Sequence, residues 1–261
     1  ISGNWQVEVL PLLPPVRHLP LLVRPGETFV VNLTVGTAPQ GGQGGARLQA
    51  SGEVGDVPPL TSSSADLNGM GFTDLAPDIP SDWNVTPDLT NCTPTPGFAK
   101  ATGNKIEYAW NGTYPVNTNF NISYKVTVPC NTTPGPYYFP YNDSSLSWLE
   151  YYIGEGGPYK SPTLGANVTN VSGYNLTVIS SGCCDIIVSG GGIDDIVFAW
   201  QNKTYYSFAC DANVTLTADD TAPCCDFVNW TVDGNFTPGN PINVSMNNSD
   251  HTAVAYCAVP T

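Results

Sequence analysis

The chain has 261 residues, 41% of them hydrophobic, and is long enough for two domains with cores of their own. Only 8 Lys and Arg stand against 22 Asp and Glu, and the resulting net charge of -14 argues against nucleic-acid phosphates and anionic membrane surfaces as partners. No run of about 18 apolar residues occurs, so no segment spans a membrane as a helix.

Residue 1 is Ile rather than Met, from which a removed leader is expected. The first candidate element is a strand in which Trp5, Val7 and Val9 alternate with Gln6 and Glu8. Pro11, Pro14, Pro15 and Pro20 follow, a stretch that favours an extended, stiff connector over a hairpin. Residues 1–23 therefore read as a polymerising strand, held away from its own domain and able to complete the sheet of another copy. Its alternative is pairing inside its own sandwich after a proline-rich crossover.

Residues 24–181 read as a β-sandwich. The 26 Gly and 24 Pro punctuate short runs of β-branched and aromatic residues, and no stretch shows a helical apolar period. Phe29, Val31, Leu33 and Val35 share one face of a strand. Part of Gly36 to Leu60, which is Gly-, Gln- and Pro-rich at first, reads as a long exposed loop, and Thr61–Ser64 continues that character. Ile106, Tyr108 and Trp110 share a face in another strand, and Phe120, Ile122, Tyr124, Val126 and Val128 in a third. Cys92 and Cys130 are the two cysteines of this part, so a bond between them is expected, closing a loop of about 40 residues worth roughly 3–4 kcal/mol. The aromatic stretch Tyr137, Tyr138, Tyr141, Trp148, Tyr151 and Tyr152 reads as core and subunit-contact packing, with stacking on sugars as the sharper alternative.

A boundary is placed near Ser180-Ser181-Gly182, because six of the eight cysteines crowd into the C-terminal side of it: Cys183, Cys184, Cys210, Cys224, Cys225 and Cys257. Vicinal pairs such as Cys183-Cys184 and Cys224-Cys225 point to opposite faces of a strand, so each member is expected to find its own partner. Residues 182–261 thus read as a small, disulfide-rich β domain with Trp230 buried among Val214, Leu216, Phe227 and Met246. Val228, Trp230 and Val232 are expected on one strand face.

Sixteen asparagines head an Asn-x-Ser/Thr sequon: Asn32, Asn84, Asn91, Asn111, Asn121, Asn131, Asn142, Asn167, Asn170, Asn175, Asn202, Asn213, Asn229, Asn235, Asn243 and Asn247. With 23 asparagines in all, chance gives about four. The excess implies N-glycosylation and an extracellular, cell-surface location. Strand parity agrees: Asn32, Asn121, Asn175, Asn229 and Asn243 fall opposite the apolar face of their strands.

Residues 183–261 carry an ordered pattern: Ser189-Gly190-Gly191-Gly192, Val214-Thr215-Leu216-Thr217-Ala218, Phe227-Val228-Asn229-Trp230, Val244-Ser245-Met246, then His251-Thr252-Ala253-Val254-Ala255-Tyr256. This resembles the internalin-type B-repeat of prokaryotic surface proteins, which implies a stalk or spacer module. Arg24-Pro25-Gly26-Glu27-Thr28-Phe29-Val30-Val31 and Thr133-Pro134-Gly135-Pro136-Tyr137-Tyr138 resemble the opening strand and late hairpin of Ig-like and cohesin-like sandwiches. As a whole, a sequon-dense, cysteine-bridged, all-β chain is similar to subunits of archaeal extracellular threads. That resemblance implies a homopolymer built by donor-strand complementation.

Signatures of catalysis are missing from the sequence: there is no Gly-x-Ser-x-Gly, no His-Glu-x-x-His and no phosphate-binding loop. His18 sits among prolines and His251 at a turn. No carboxylate pair is singled out as a glycosidase's. Asp194-Asp195 and Asp219-Asp220 could serve calcium, but without EF-hand spacing they read as acidic turns. The expectation is a structural protein with no enzyme activity, cofactor or metal. Rival readings are a monomeric adhesin or S-layer stalk and a carbohydrate-binding accessory module.

Overall fold

Strand formation follows the alternation in the sequence. The computed structural model describes residues 14–36, 66–115, 118–153, 156–219, 225–247 and 249–259. In chain order the strands are β1 (Val16–His18), β2 (Leu22–Val23), β3 (Thr28–Val35), β4 (Leu67–Leu75), β5 (Asn84–Pro87), β6 (Phe98–Thr102) and β7 (Lys105–Tyr114). Then come β8 (Phe120–Thr127), β9 (Gly135–Tyr138), β10 (Ser147–Ile153), β11 (Gly156–Pro162), β12 (Leu164–Gly165), β13 (Val168–Val171) and β14 (Tyr174–Ser181). The last are β15 (Asp185–Gly190), β16 (Ile193–Val197), β17 (Asn202–Phe208), β18 (Asn213–Asp219), β19 (Asp226–Val232), β20 (Asn235–Thr237), β21 (Ile242–Ser245) and β22 (His251–Ala258). A 3-10 turn at Leu89–Asn91 is the helical structure among the described residues, so the all-β class holds.

Two compact units result, one from segments within 1–20, 29–126 and 137–168, the other from 21–28, 127–136 and 169–261. This interleaving replaces the single boundary expected near Ser181. The long loop expected over Gly36–Ser64 and the strand carrying Trp5, Val7 and Val9 lie outside the described residues, Gly36 apart.

Unit 1 holds two five-stranded sheets, ordered β12-β1-β3-β8-β5 and β11-β10-β4-β7-β6. Phe29, Val31, Leu33 and Val35 of β3 are buried, as are Ile106, Tyr108 and Trp110 of β7 and Phe120, Ile122, Tyr124 and Val126 of β8. The facing strands meet edge to face at Trp110 and Phe120, whose ring centroids are 5.8 Å apart. The Tyr108 hydroxyl donates to the Ser123 carbonyl at 2.6 Å. A correction falls on the segment read as a free connector. Val16–His18 pairs antiparallel with Asn32–Thr34 and parallel with Leu164 and Gly165. A Cβ at Gly165, where φ is +92°, would stand 2.4 Å from the Arg17 carbonyl oxygen, so this close pairing needs glycine. Leu22 and Val23 continue into a separate three-stranded sheet, β2-β13-β9. The described prolines thus flank short paired strands rather than form a spacer.

Unit 2 holds a five-stranded sheet, β17-β14-β22-β19-β20, and a four-stranded one, β16-β15-β18-β21. Its core gathers Leu176, Val178, Ile186, Val188, Val214, Leu216, Trp230 and Met246, with Phe227 packed against it. Trp230 is fully buried, as its place in the sequence pattern predicts. Trp230→Ala is expected to destabilise by about 3–5 kcal/mol, read as a lowered denaturation midpoint at unchanged slope. Val228 does not share its face. A bulge between Phe227 and Asn229 shifts the register of β19 against β22, and Val228 is 57% exposed.

The cysteine pairing also differs. Cys130 bonds Cys210, Cys183 bonds Cys225, and Cys184 bonds Cys257. Cys92 is a buried free thiol, its S–H facing the Asp88 carbonyl at 3.4 Å, and burial pushes its pKa up. The expected Cys92–Cys130 bond fails because the chain after β8 leaves unit 1: residues 127–136 belong to unit 2, where Cys210 lies. Each described vicinal cysteine does find a separate partner. Cys224 lies outside the described residues.

Candidate functional site: the sequon-bearing sheet faces

All sixteen sequon asparagines are described, and none is buried. Twelve are exposed; Asn32, Asn121, Asn175 and Asn229 are half-buried. Those that stand in strands mark outer faces of the sheets because side chains alternate, Asn229 apart. Asn32 of β3 stands between buried Val31 and Leu33, and Asn175 of β14 between buried Tyr174 and Leu176. Asn213 and Asn243 share the outer face of the four-stranded sheet, where the Thr215 hydroxyl donates to Asn243 Oδ1 at 2.8 Å. Several side-chain amides already have protein partners. Asn91 Nδ2 donates to Asp88 Oδ2 at 2.8 Å, which with Thr90 holds that carboxyl below its ordinary range. Asn121 Nδ2 donates to the Asn91 carbonyl at 3.0 Å. A glycosylated amide keeps one N–H, so these bonds are compatible with a sugar. Asn229 is the exception to simple parity: beside the bulge, its Oδ1 is buried without a partner.

Charged groups are used structurally. Arg24 donates to both Asp250 oxygens at 3.1 and 3.0 Å, and Asp250 Oδ1 also accepts the Asn175 N–H at 2.9 Å. Sequence reading missed an ordered trio beside them. Ser249 Oγ is 3.0 Å from His251 Nε2, and His251 Nδ1 is 2.7 Å from Asp233 Oδ2. That is the order of a hydrolytic relay, but Asp233 Oδ1 is tied to the Thr252 N–H at 2.8 Å. The trio fastens the turn after β19 to the start of β22. His18 faces the Thr34 hydroxyl at 3.4 Å. Of the carboxylates considered for calcium, Asp195 pairs with Lys203 and accepts from the Tyr205 hydroxyl at 2.8 Å, which together hold its pKa down to about 2. Three cysteine sulfurs, of Cys184, Cys225 and Cys257, lie within 4.8 Å of one another, each engaged in a disulfide.

The aromatic stretch divides. Tyr151 is buried in unit 1, Tyr138, Tyr141 and Tyr152 are exposed, and Trp148 lies on an outer face. There, cross-strand rows Phe98–Ala109–Gly71–Glu150–Lys160 and Lys100–Glu107–Thr73–Trp148–Pro162 run across five strands. Small residues in mid-row leave an open trough of about 390 Å³ between Phe98 and Trp148, with Glu107 and Lys100 at its rim. Lys160 lies over the Trp148 ring, 4.6 Å from its centroid. The trough is built from four strands, so no local motif could announce it.

No protein-family model matches the sequence, and no curated protein matches it either. Among solved structures, similar ones include BcpA, the major pilin subunit of Bacillus cereus, with 8% identity and a TM-score of 0.39 over 92% of this chain and 67% of that one. A Mobiluncus mulieris adhesin with intramolecular disulfide, isopeptide and ester cross-links gives 9% identity and 0.42 over 95% and 98%. The Streptococcus pyogenes major pilin protein T-13 gives 12% and 0.28 over 75% and 91%. At these TM-scores the likeness carries no weight for function.

Proposed function

We propose that the chain is a structural, heavily N-glycosylated subunit of an extracellular filament, in which copies join head to tail by donor-strand complementation. The observation that supports this most is the sequon map: sixteen sequons fall in both units, and none of their asparagines is buried. An acidic chain with few charged residues gains a hydrated coat if these are occupied. The donor is the strand carrying Trp5, Val7 and Val9, whose alternation suits insertion into an open sheet edge. Repetition of one such heterologous contact gives an open fibre rather than a ring. Intact mass before and after chemical deglycosylation should differ by many sugars, against a bare chain of 27.7 kDa. Deleting residues 1–13 should leave a folded monomer that makes no filaments by negative-stain microscopy. Filaments of unchanged length from the deletion variant would defeat the donor-strand assembly, and a mass near the bare chain would defeat the glycoprotein reading.

The trough between Phe98 and Trp148 favours a second reading, a carbohydrate-binding module. It sets Phe98 and Trp148 beside Lys100, Glu107 and Glu150 on an open sheet face. Binding of soluble oligosaccharides that is lost in Trp148→Ala would favour it over the filament.

A further inference from the structure

The turn between β16 and β17 holds a residue in a costly place. Its hydrogen bond runs from the Gln201 N–H to the Phe198 carbonyl at 3.1 Å, and Trp200 takes φ of +63° within it. That left-handed conformation suits Gly or Asn; a bulky side chain there is an outlier that calls for a reason. Core packing is not the reason, because Trp200 is 73% exposed. The side chain thus combines backbone strain with a large apolar surface left in water.

Its sequence neighbours supply a reason. Trp200, Asn202 and Thr204 form Trp-x-Asn-x-Thr, an aromatic residue two positions ahead of a sequon. Of the sixteen sequons, one other has an aromatic residue at that position: Phe227 before Asn229, and Phe227 is committed to the core of unit 2. Backbone bonds fix the approach from both sides. The Trp200 N–H donates to the Gly182 carbonyl at 3.1 Å, and the Gln201 carbonyl accepts the Ser180 N–H at 2.9 Å. Only Gln201 separates Trp200 from Asn202, so their backbones lie at most about 7 Å apart. Asn202 is exposed at the start of β17. A pyranose linked to Asn202 Nδ2 begins within reach of the indole. One face of such a ring is lined by C–H groups of slight positive charge, which complement the electron-rich face of an indole.

We propose that Trp200 is the platform for the innermost sugar of an N-glycan on Asn202, and that this contact offsets the strain of the turn. It rests on the glycoprotein reading above and adds a specific carbohydrate contact to it. The test is a thermal double-mutant cycle on the full chain, from a host that N-glycosylates, with occupancy at Asn202 read by peptide mass spectrometry. In the Asn202→Gln background, Trp200→Asn should raise Tm by about 2–4 °C, because Asn accepts a left-handed φ. In the glycosylated background the same substitution should lower Tm by a similar amount. This change of sign is the signature of the contact. Shifts of one sign in both backgrounds would overturn the platform while leaving glycosylation intact. An unoccupied Asn202 would overturn it by removing its premise, and the mass spectrum separates that outcome from the first. Should Asn202→Gln fail to fold, Asn202→Asp takes its place. Hydroxyl-radical footprinting of the unsubstituted protein gives a second measurement: Trp200 should oxidise more slowly with glycans present than after deglycosylation, and equal rates would count against the contact.

Discussion

Reduction of the disulfides is expected to unfold unit 2 while unit 1 stays folded. Cys130–Cys210, Cys183–Cys225 and Cys184–Cys257 close sequence separations of 80, 42 and 73 residues, and all six cysteines lie in unit 2. In the chain-entropy model each is worth about 4 kcal/mol, though overlapping loops make the sum smaller than three times that. Even part of this total rivals the 5–15 kcal/mol by which a domain is ordinarily stable. Cys92, the described cysteine of unit 1, is a thiol already, so a reductant has nothing to break there. Hydrogen exchange with and without reductant checks it. Protection should collapse in β14, β18 and β22 and persist in β3, β7 and β8. Uniform protection in both conditions would mean that the core around Trp230 holds unit 2 without its cross-links.

The sequence predicted the strands that alternate strictly and missed those that do not. β3, β7 and β8 present four, three and four buried residues on one face, so period two alone finds them. β1, β2 and β12 are only three, two and two residues long, too short for a period, and prolines surround the first two. Their pairing is decided by distant partners, Leu164 for Val16 and Asn170 for Leu22. The same non-local pairing explains the interleaved units and the failed Cys92–Cys130 bond. Counting cysteines on each side of one boundary assumes that the chain crosses it once. Val228 failed for a different reason. A bulge is one extra residue in one strand of a pair, so its place is set by the partner strand and leaves no mark on local alternation.

The outward face of the strand sequons was legible because strand parity puts them opposite the apolar set. The consequences of individual side chains were not. Trp-x-Asn-x-Thr can be read from the sequence, but the positive φ and exposure of Trp200 exist only once β16 and β17 are joined. Arg17 is a sharper case: nothing in its proline-rich stretch marks it for the core, yet its side chain is fully buried.

Asp74→Ala is expected to cost unit 1 about 3–5 kcal/mol, because it leaves that arginine uncompensated. Arg17 Nη2 lies 2.8 Å from both Asp74 oxygens and 3.0 Å from Ser147 Oγ, while Nη1 donates to the Pro140 carbonyl at 2.6 Å. Burial works against the guanidinium charge, but Asp74 outweighs it and raises the pKa of Arg17. The Tyr124 hydroxyl donates to Asp74 Oδ2 at 2.7 Å, and its own ionisation is pushed well up by burial and by the Asp74 charge. Asp74 thus joins Arg17 and Tyr124 in a buried network that Arg17 extends to Ser147, and Arg17 Nε has no partner in it. Removing Arg17, Asp74 and Tyr124 together is expected to cost far less than removing one, because Ser147 Oγ keeps its bond to Thr163 Oγ1. The triple variant Arg17→Met, Asp74→Leu, Tyr124→Phe should lie within about 2 kcal/mol of the unsubstituted protein, on either side. Urea denaturation of the single, triple and unsubstituted proteins compares the costs directly. If Asp74→Ala costs no more than the triple variant, water reaches Arg17 when its carboxylate is gone, and the core between β1 and β4 is looser than its burial implies. If the triple variant is much the worse, the network contributes net stability, and β1 owes its place in the sheet to that charge rather than to its short run of backbone pairing.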